Sequence, residues 1–207
     1  MQSARMLRPR QAAADRSSRV AREIVETVVL TLLIFFAVHF SVQPYRVFGP
    51  SMEPGLKTDD YVLVNLLTYD FSAPQRGDVI VFYPPSNPYR DCTPPHDCFV
   101  KRVIAVPGDT VEVTLNAVIV NNVKLSEPYI FPIDKGANEN PLAVPKKVLP
   151  PDQYFVMGDN RLNSQDSRFF GPIARSSIIG KADLVMWPFG ALKWLPNYAN
   201  VYAGAKP

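Results

Sequence analysis

The sequence predicts a mostly β fold, an antiparallel sheet built from hairpins and carried on a single N-terminal transmembrane helix. Three observations point there. One long apolar run stands near the N-terminus, the residues after it form short β-type runs between turns, and there are 21 prolines against 10 glycines. Proline is excluded from helix interiors and central ladders, so this load disfavours a helical bundle. With 207 residues, 47% of them apolar, the chain can build one compact domain and an appendage. The net charge of +3 rests on the N-terminal arginines. Without Arg5, Arg8, Arg10, Arg16, Arg19 and Arg22 the remainder is not basic, and no nucleic-acid partner is expected.

Residues 1–21 are rich in Arg, Ala and Ser and read as a solvated cytoplasmic tail with no core of its own. Residues 22–43 read as the membrane span. From Thr27 to Gln43 no Asp, Glu, Lys or Arg interrupts the run, and with Ile24 and Val25 it reaches about 20 residues, the length that crosses a hydrocarbon core. A cleaved signal peptide would be shorter and leave through small residues, whereas Ser41-Val42-Gln43-Pro44-Tyr45-Arg46 follows here. A core helix would rarely be apolar on every face. Because the arginines precede the span, the N-terminus is expected in the cytoplasm and residues 44–207 on the far side. His39 reads as an interfacial or packed histidine.

Beyond the span, strands are expected at Tyr61–Asn65, Asp78–Tyr83, Phe99–Val106, Val111–Leu115, Ala117–Val120, Val123–Leu125, Gln153–Met157 and Ile178–Trp187. Asn121-Asn122 suits a tight turn with left-handed geometry. Ser126 to Pro151, rich in Pro, Lys, Asn and Gly, reads as a loop, and the chain ends in an irregular aromatic segment. Cys92 and Cys98 bracket a short loop that the topology puts in an oxidising compartment, so a disulfide between them is the expectation. A metal site on His96 and Asp97 would fall short of a tetrahedral set.

Three stretches carry candidate chemistry. Ser51 lies in Gly49-Pro50-Ser51-Met52-Glu53-Pro54-Gly55, which can present a hydroxyl and is equally an ordinary turn. A serine nucleophile needs a base, and the two histidines, in the span and in the cysteine loop, are poor material for a Ser-His-Asp triad. A lysine kept neutral by apolar burial would serve. Lys101 is set among Phe99, Val100, Val103, Ile104, Ala105 and Val106. Strand alternation puts Lys101 and Arg102 on opposite faces, both apolar, so parity does not say which is buried; only lysine can give up its proton. Two charges at a sheet edge that reach for water are the competing reading. The third stretch, Met157 to Pro172, concentrates polar residues after an apolar strand. It reads either as a loop held by its own hydrogen bonds or as a support for the other two.

Gly49-Pro50-Ser51-Met52-Glu53-Pro54, Arg76-Gly77-Asp78-Val79-Ile80-Val81-Phe82, Lys101-Arg102-Val103-Ile104-Ala105-Val106-Pro107-Gly108-Asp109 and Gly158-Asp159-Asn160-Arg161 through Ser164, Asp166, Ser167 and Arg168 follow one another after the span. In this order they resemble bacterial type I signal peptidase, over nearly the whole chain after the tail. The resemblance implies a signal-peptidase-like catalytic domain with a variable insertion at 114–151. It implies a membrane-anchored serine endopeptidase that removes signal peptides from exported preproteins after small residues. Ser51 would be the nucleophile and Lys101 the general base. Ser164 would orient the lysine, Asp166 and Arg168 would form a structural pair, and Met52, Arg102 and Asp159 would support the site. No metal or organic cofactor is implied. The expected partners are signal-peptide-bearing preproteins and the lipid bilayer, with the export translocon nearby, in the bacterial cytoplasmic or thylakoid membrane. Where some members have a serine that donates to the oxyanion, this chain has Gly49, which leaves that donor unassigned. A self-cleaving repressor with the same dyad would be soluble and carry a DNA-binding domain. A membrane-anchored β domain that binds peptides without cutting would have no use for Ser51, Lys101 and Ser164 together.

Overall fold

The computed structural model describes residues 9–92, 98–130 and 142–206. The chain divides into two compact units, Met1–Ser41 and Val42–Pro207. The first is the helix α1 (Pro9–Ser41), of which Arg19–Ser41 is long and apolar enough to cross a membrane. Residues 9–21, which the sequence marks as a solvated segment with no core of its own, belong to this helix. Pro9 opens a run of Gln, Ala and Arg, all compatible with helix, and proline is at home in a first turn. The helix also stops at Ser41, not Gln43. Val42 already belongs to a strand, since Pro44 would break a continuing helix.

The second unit is built on two antiparallel sheets. The larger contains β1 (Val42–Arg46), β2 (Tyr61–Asn65), β3 (Val79–Phe82), β4 (Phe99–Ala105), β9 (Gln153–Met157), β10 (Ile173–Ala174), β11 (Ile178–Trp187) and β12 (Lys193–Trp194). Its order is β1-β2-β11-β3-β4-β9-β10, with β12 alongside β11. The smaller contains β5 (Thr110–Thr114), β6 (Ala117–Val120), β7 (Val123–Lys124) and β8 (Val144–Val148), in the order β7-β6-β5-β8. Its turn uses Asn121 and Asn122 at φ 49° and 65°, the left-handed geometry that asparagine tolerates.

The strand β8 lies inside the stretch expected to be a loop. Its Pro-Lys-Lys sequence hides it, yet proline and lysine are what an edge strand tolerates. Among the described residues the unit also has two short α-helices, α2 (Thr68–Phe71) and α3 (Ser167–Phe170), and three 3-10 turns, Arg175–Ser177, Phe189–Ala191 and Ala199–Tyr202. The strand β4 lies between β3 and β9, and every residue from Val100 to Ala105 is buried. Val100 packs with Val47, Met52 and Leu56, Ile104 with the smaller sheet, and Val103 with Ile80 and Val156. Both faces of β4 are therefore interior, which refutes the sheet-edge reading of Lys101 and Arg102.

Candidate active site

Ser51 stands in the loop that links β1 to β2. The base of the loop is closed by Val47 N–H to Asp60 O, 2.8 Å, and Asp59 N–H to Val47 O, 2.9 Å. Met52 and Leu56, each 1% exposed, anchor it in the core. Gly49 has φ +75°, where a side chain would be strained, and its position faces open space. Pro50 and Ser51 are gripped from the far side. The carbonyl of Ser51 accepts from Asn160 N–H, 3.0 Å, and that of Pro50 from Asn160 Nδ2, 3.1 Å.

From β4, Lys101 Nζ reaches Ser51 Oγ at 2.7 Å and donates to the carbonyl of Val100, 3.0 Å. The amine lies 5.1 Å from the centre of the Phe99 ring and the residue is 4% exposed. Burial lowers its pKa from 10.5 to about 8, helped by Arg168 and opposed by Asp166 and Asp159. A cleft of about 200 Å³ opens over the pair, walled by Val47, Phe48, Phe99, Val100, Asn163 and Gln165.

The loop from Gly158 to Arg168 packs behind these two residues. Gly158 is required by close approach: a Cβ there would stand 2.3 Å from Ser164 Oγ and 2.4 Å from Ser51 O. Asp166 accepts from Gly158 N–H, 3.0 Å, caps α3 through Arg168 N–H, 3.2 Å, and pairs with the Arg168 guanidinium at 2.8 and 2.7 Å. Both side chains of that pair are fully buried. Ser164 is buried, but its Oγ has no hydrogen-bond partner among the described residues; the expected contact with Lys101 is not made. On the other face of β4, Arg102 holds Asp159 bidentately at 2.9 and 2.7 Å. Burial pushes the Asp159 carboxyl up while Arg102 and Arg161 pull it down.

Several residues that hold the site escaped the sequence reading. Arg161 forms a buried pair with Glu127 and donates to the Gly158 carbonyl, 3.1 Å. Arg76 pairs with Asp109, which ties together two of the recurring stretches. Arg76, Asp109 and Arg161 stood in the motifs, but their pairings, across 33 and 34 residues, left no local signal. Cys92 and Cys98 are joined by a disulfide beside the cleft. His96 and Asp97, considered as metal ligands, lie outside the described residues.

The family model described as "Signal peptidase, peptidase S26" matches residues 20–187. The chain belongs to this signal peptidase family. It is 35% identical to signal peptidase IB of Staphylococcus aureus strain MRSA252 over 192 residues, 86% of this chain and 94% of that protein. It is 36% identical to signal peptidase I of Leptolyngbya laminosa over 197 residues, 92% of this chain and 94% of that one. A crystal structure of a signal peptidase I from Enterococcus faecalis V583 matches with a TM-score of 0.44 and 32% identity, covering 53% of this chain and 97% of that one. As a family member the protein is a serine endopeptidase, a hydrolase.

Proposed function

We propose that this peptidase is anchored in the membrane by α1 and removes signal peptides from exported preproteins, with Ser51 as nucleophile and Lys101 as general base. The observation that carries the reading is the 2.7 Å approach to Ser51 Oγ of Lys101 Nζ, an amine whose burial brings its pKa down to about 8. Neutral Lys101 takes the Ser51 proton as Oγ attacks the scissile carbonyl, then returns it to the leaving amine. A water activated by Lys101 then deacylates the enzyme. The Ser51 N–H is the donor to the oxyanion, since Gly49 offers no side chain.

The substrate runs extended through the cleft beside Cys98–Val100, with main-chain hydrogen bonds giving affinity. The apolar walls formed by Val47, Phe99 and Val100, in a cleft of about 200 Å³, suit small residues such as alanine on the signal-peptide side of the cut. In the supporting roles, Ser164 orients the amine during turnover, Asp166 with Arg168 fixes the loop, and Met52, Arg102 and Asp159 hold the two catalytic elements in place. Residues 42–207 form the catalytic domain on the extracytoplasmic side of the bacterial cytoplasmic or thylakoid membrane, close to the export translocon, and the smaller sheet carries the variable insertion.

The test is cleavage of an exported precursor in detergent, with N-terminal sequencing of the product. The parent releases one mature end after a small residue, whereas Ser51→Ala and Lys101→Ala release none. Substantial cleavage by either variant would exclude the dyad.

A further inference from the structure

Beyond β12 the chain continues for a segment that the reaction just described does not use, and this segment seats Arg102. While Nε and Nη2 of Arg102 hold Asp159, its Nη1 donates to the carbonyls of Gly77, 2.8 Å, and Pro196, 3.1 Å. The rings of Tyr129 and Tyr198 lie 4.4 and 5.2 Å from its Cζ, so the guanidinium is held in plane as well as by its edges. The seat is built to one geometry. Asn197 O passes so close to Gly77 that a Cβ there would stand 1.7 Å away. Tyr198 adopts φ 51°, and the segment is tied down where Tyr202 OH meets Tyr129 OH at 3.0 Å.

Arg102 acts at a distance from the reacting atoms, but the path is short. Asp159, clamped by Arg102, is followed directly by Asn160, whose N–H and Nδ2 grip the carbonyls of Ser51 and Pro50. We propose that the C-terminal segment Pro196–Tyr202 is a positioning element for the nucleophile: by seating Arg102 it fixes Asp159, and through Asn160 it fixes the Ser51 loop. Tyr198 is its key positioning residue, half-buried and removable without emptying the core. The inference rests on the Ser51/Lys101 reading above.

The test uses the full chain in detergent with a preprotein-derived peptide, comparing the parent with Tyr198→Ala and Tyr198→Phe well below their unfolding midpoints. A nucleophile displaced by a fraction of an ångström weakens the transition state more than substrate binding. Tyr198→Ala should therefore lose on the order of tenfold or more in kcat with KM within about twofold. Tyr198→Phe, which keeps the ring over Arg102, should recover the parental kcat. Parental kcat in Tyr198→Ala, a change confined to KM or to the unfolding midpoint, or an equal loss in Tyr198→Phe would each overturn the proposal. Activity surviving in Lys101→Ala would remove the dyad reading itself; an inactive Lys101→Ala beside an unimpaired Tyr198→Ala would remove only the positioning role.

Discussion

Lys101 is costly where it stands. With a pKa of about 8 in the folded chain against 10.5 in the unfolded one, the unfolded chain binds more protons between those values, and stability rises with pH across that window. Below about pH 8 the folded protein bears the full penalty of a buried ammonium, on the order of 3 kcal/mol. Lys101→Met is therefore expected to abolish cleavage and yet raise the midpoint of urea unfolding at pH 7, with the gain shrinking as the pH passes from 8 towards 10.5. For the parent, kcat should climb as the pH rises through about 8. Ser164 poses a related case, because its buried Oγ lacks a partner among the described residues. Ser164→Ala should leave stability unchanged or improve it by up to ~1 kcal/mol, while a role in orienting the amine predicts a drop in kcat of about tenfold. An unchanged kcat would remove Ser164 from the mechanism.

Among the elements, the loop before α3 is the most tightly specified. Asp166 serves three structures at once: the Gly158 amide, the first turn of α3 and the buried Arg168 guanidinium. Asp166→Ala should cost about 3–5 kcal/mol in denaturant unfolding, because it leaves an arginine buried without its carboxylate. A loss below about 1 kcal/mol would show that the pair is replaceable. Strand positions were largely legible, since short runs of β-branched and aromatic residues between turns are local signals; Tyr61–Asn65, which alternates, and Gln153–Met157, a continuous apolar run after its glutamine, were predicted with the bounds they have. The strand β8 was not legible, since an edge strand carries proline and lysine, as a loop does. Nor was β1, whose five residues directly follow the helix and gain strand geometry only by pairing with β2.

For the whole molecule, the division at Ser41 predicts that residues 42–207 fold without the helix, as a single cooperative transition by circular dichroism. This unit presents an apolar surface of its own. Phe189 and Trp194 are 75% and 74% exposed, and Trp187, Phe189, Met186, Tyr61 and Pro44 enclose an open apolar hollow. Aromatic side chains of this kind favour the headgroup region of a bilayer. The isolated unit is expected to co-sediment with phosphatidylglycerol vesicles, and Phe189→Ser with Trp194→Ser to weaken that binding several-fold; equal binding would place the membrane affinity elsewhere. By itself the sequence determined the long apolar helix, the hairpin-built β class, and Ser51 and Lys101 as candidates, because length, residue type and the chemistry of a deprotonatable amine are local properties. It left open which of Lys101 and Arg102 is buried. Tertiary structure decided that both are, one against Ser51 and the other against Asp159 and Pro196. The hydrogen-bond partners of the two side chains beyond β4 lie 25 to 94 residues away, and no local pattern encodes such a distance.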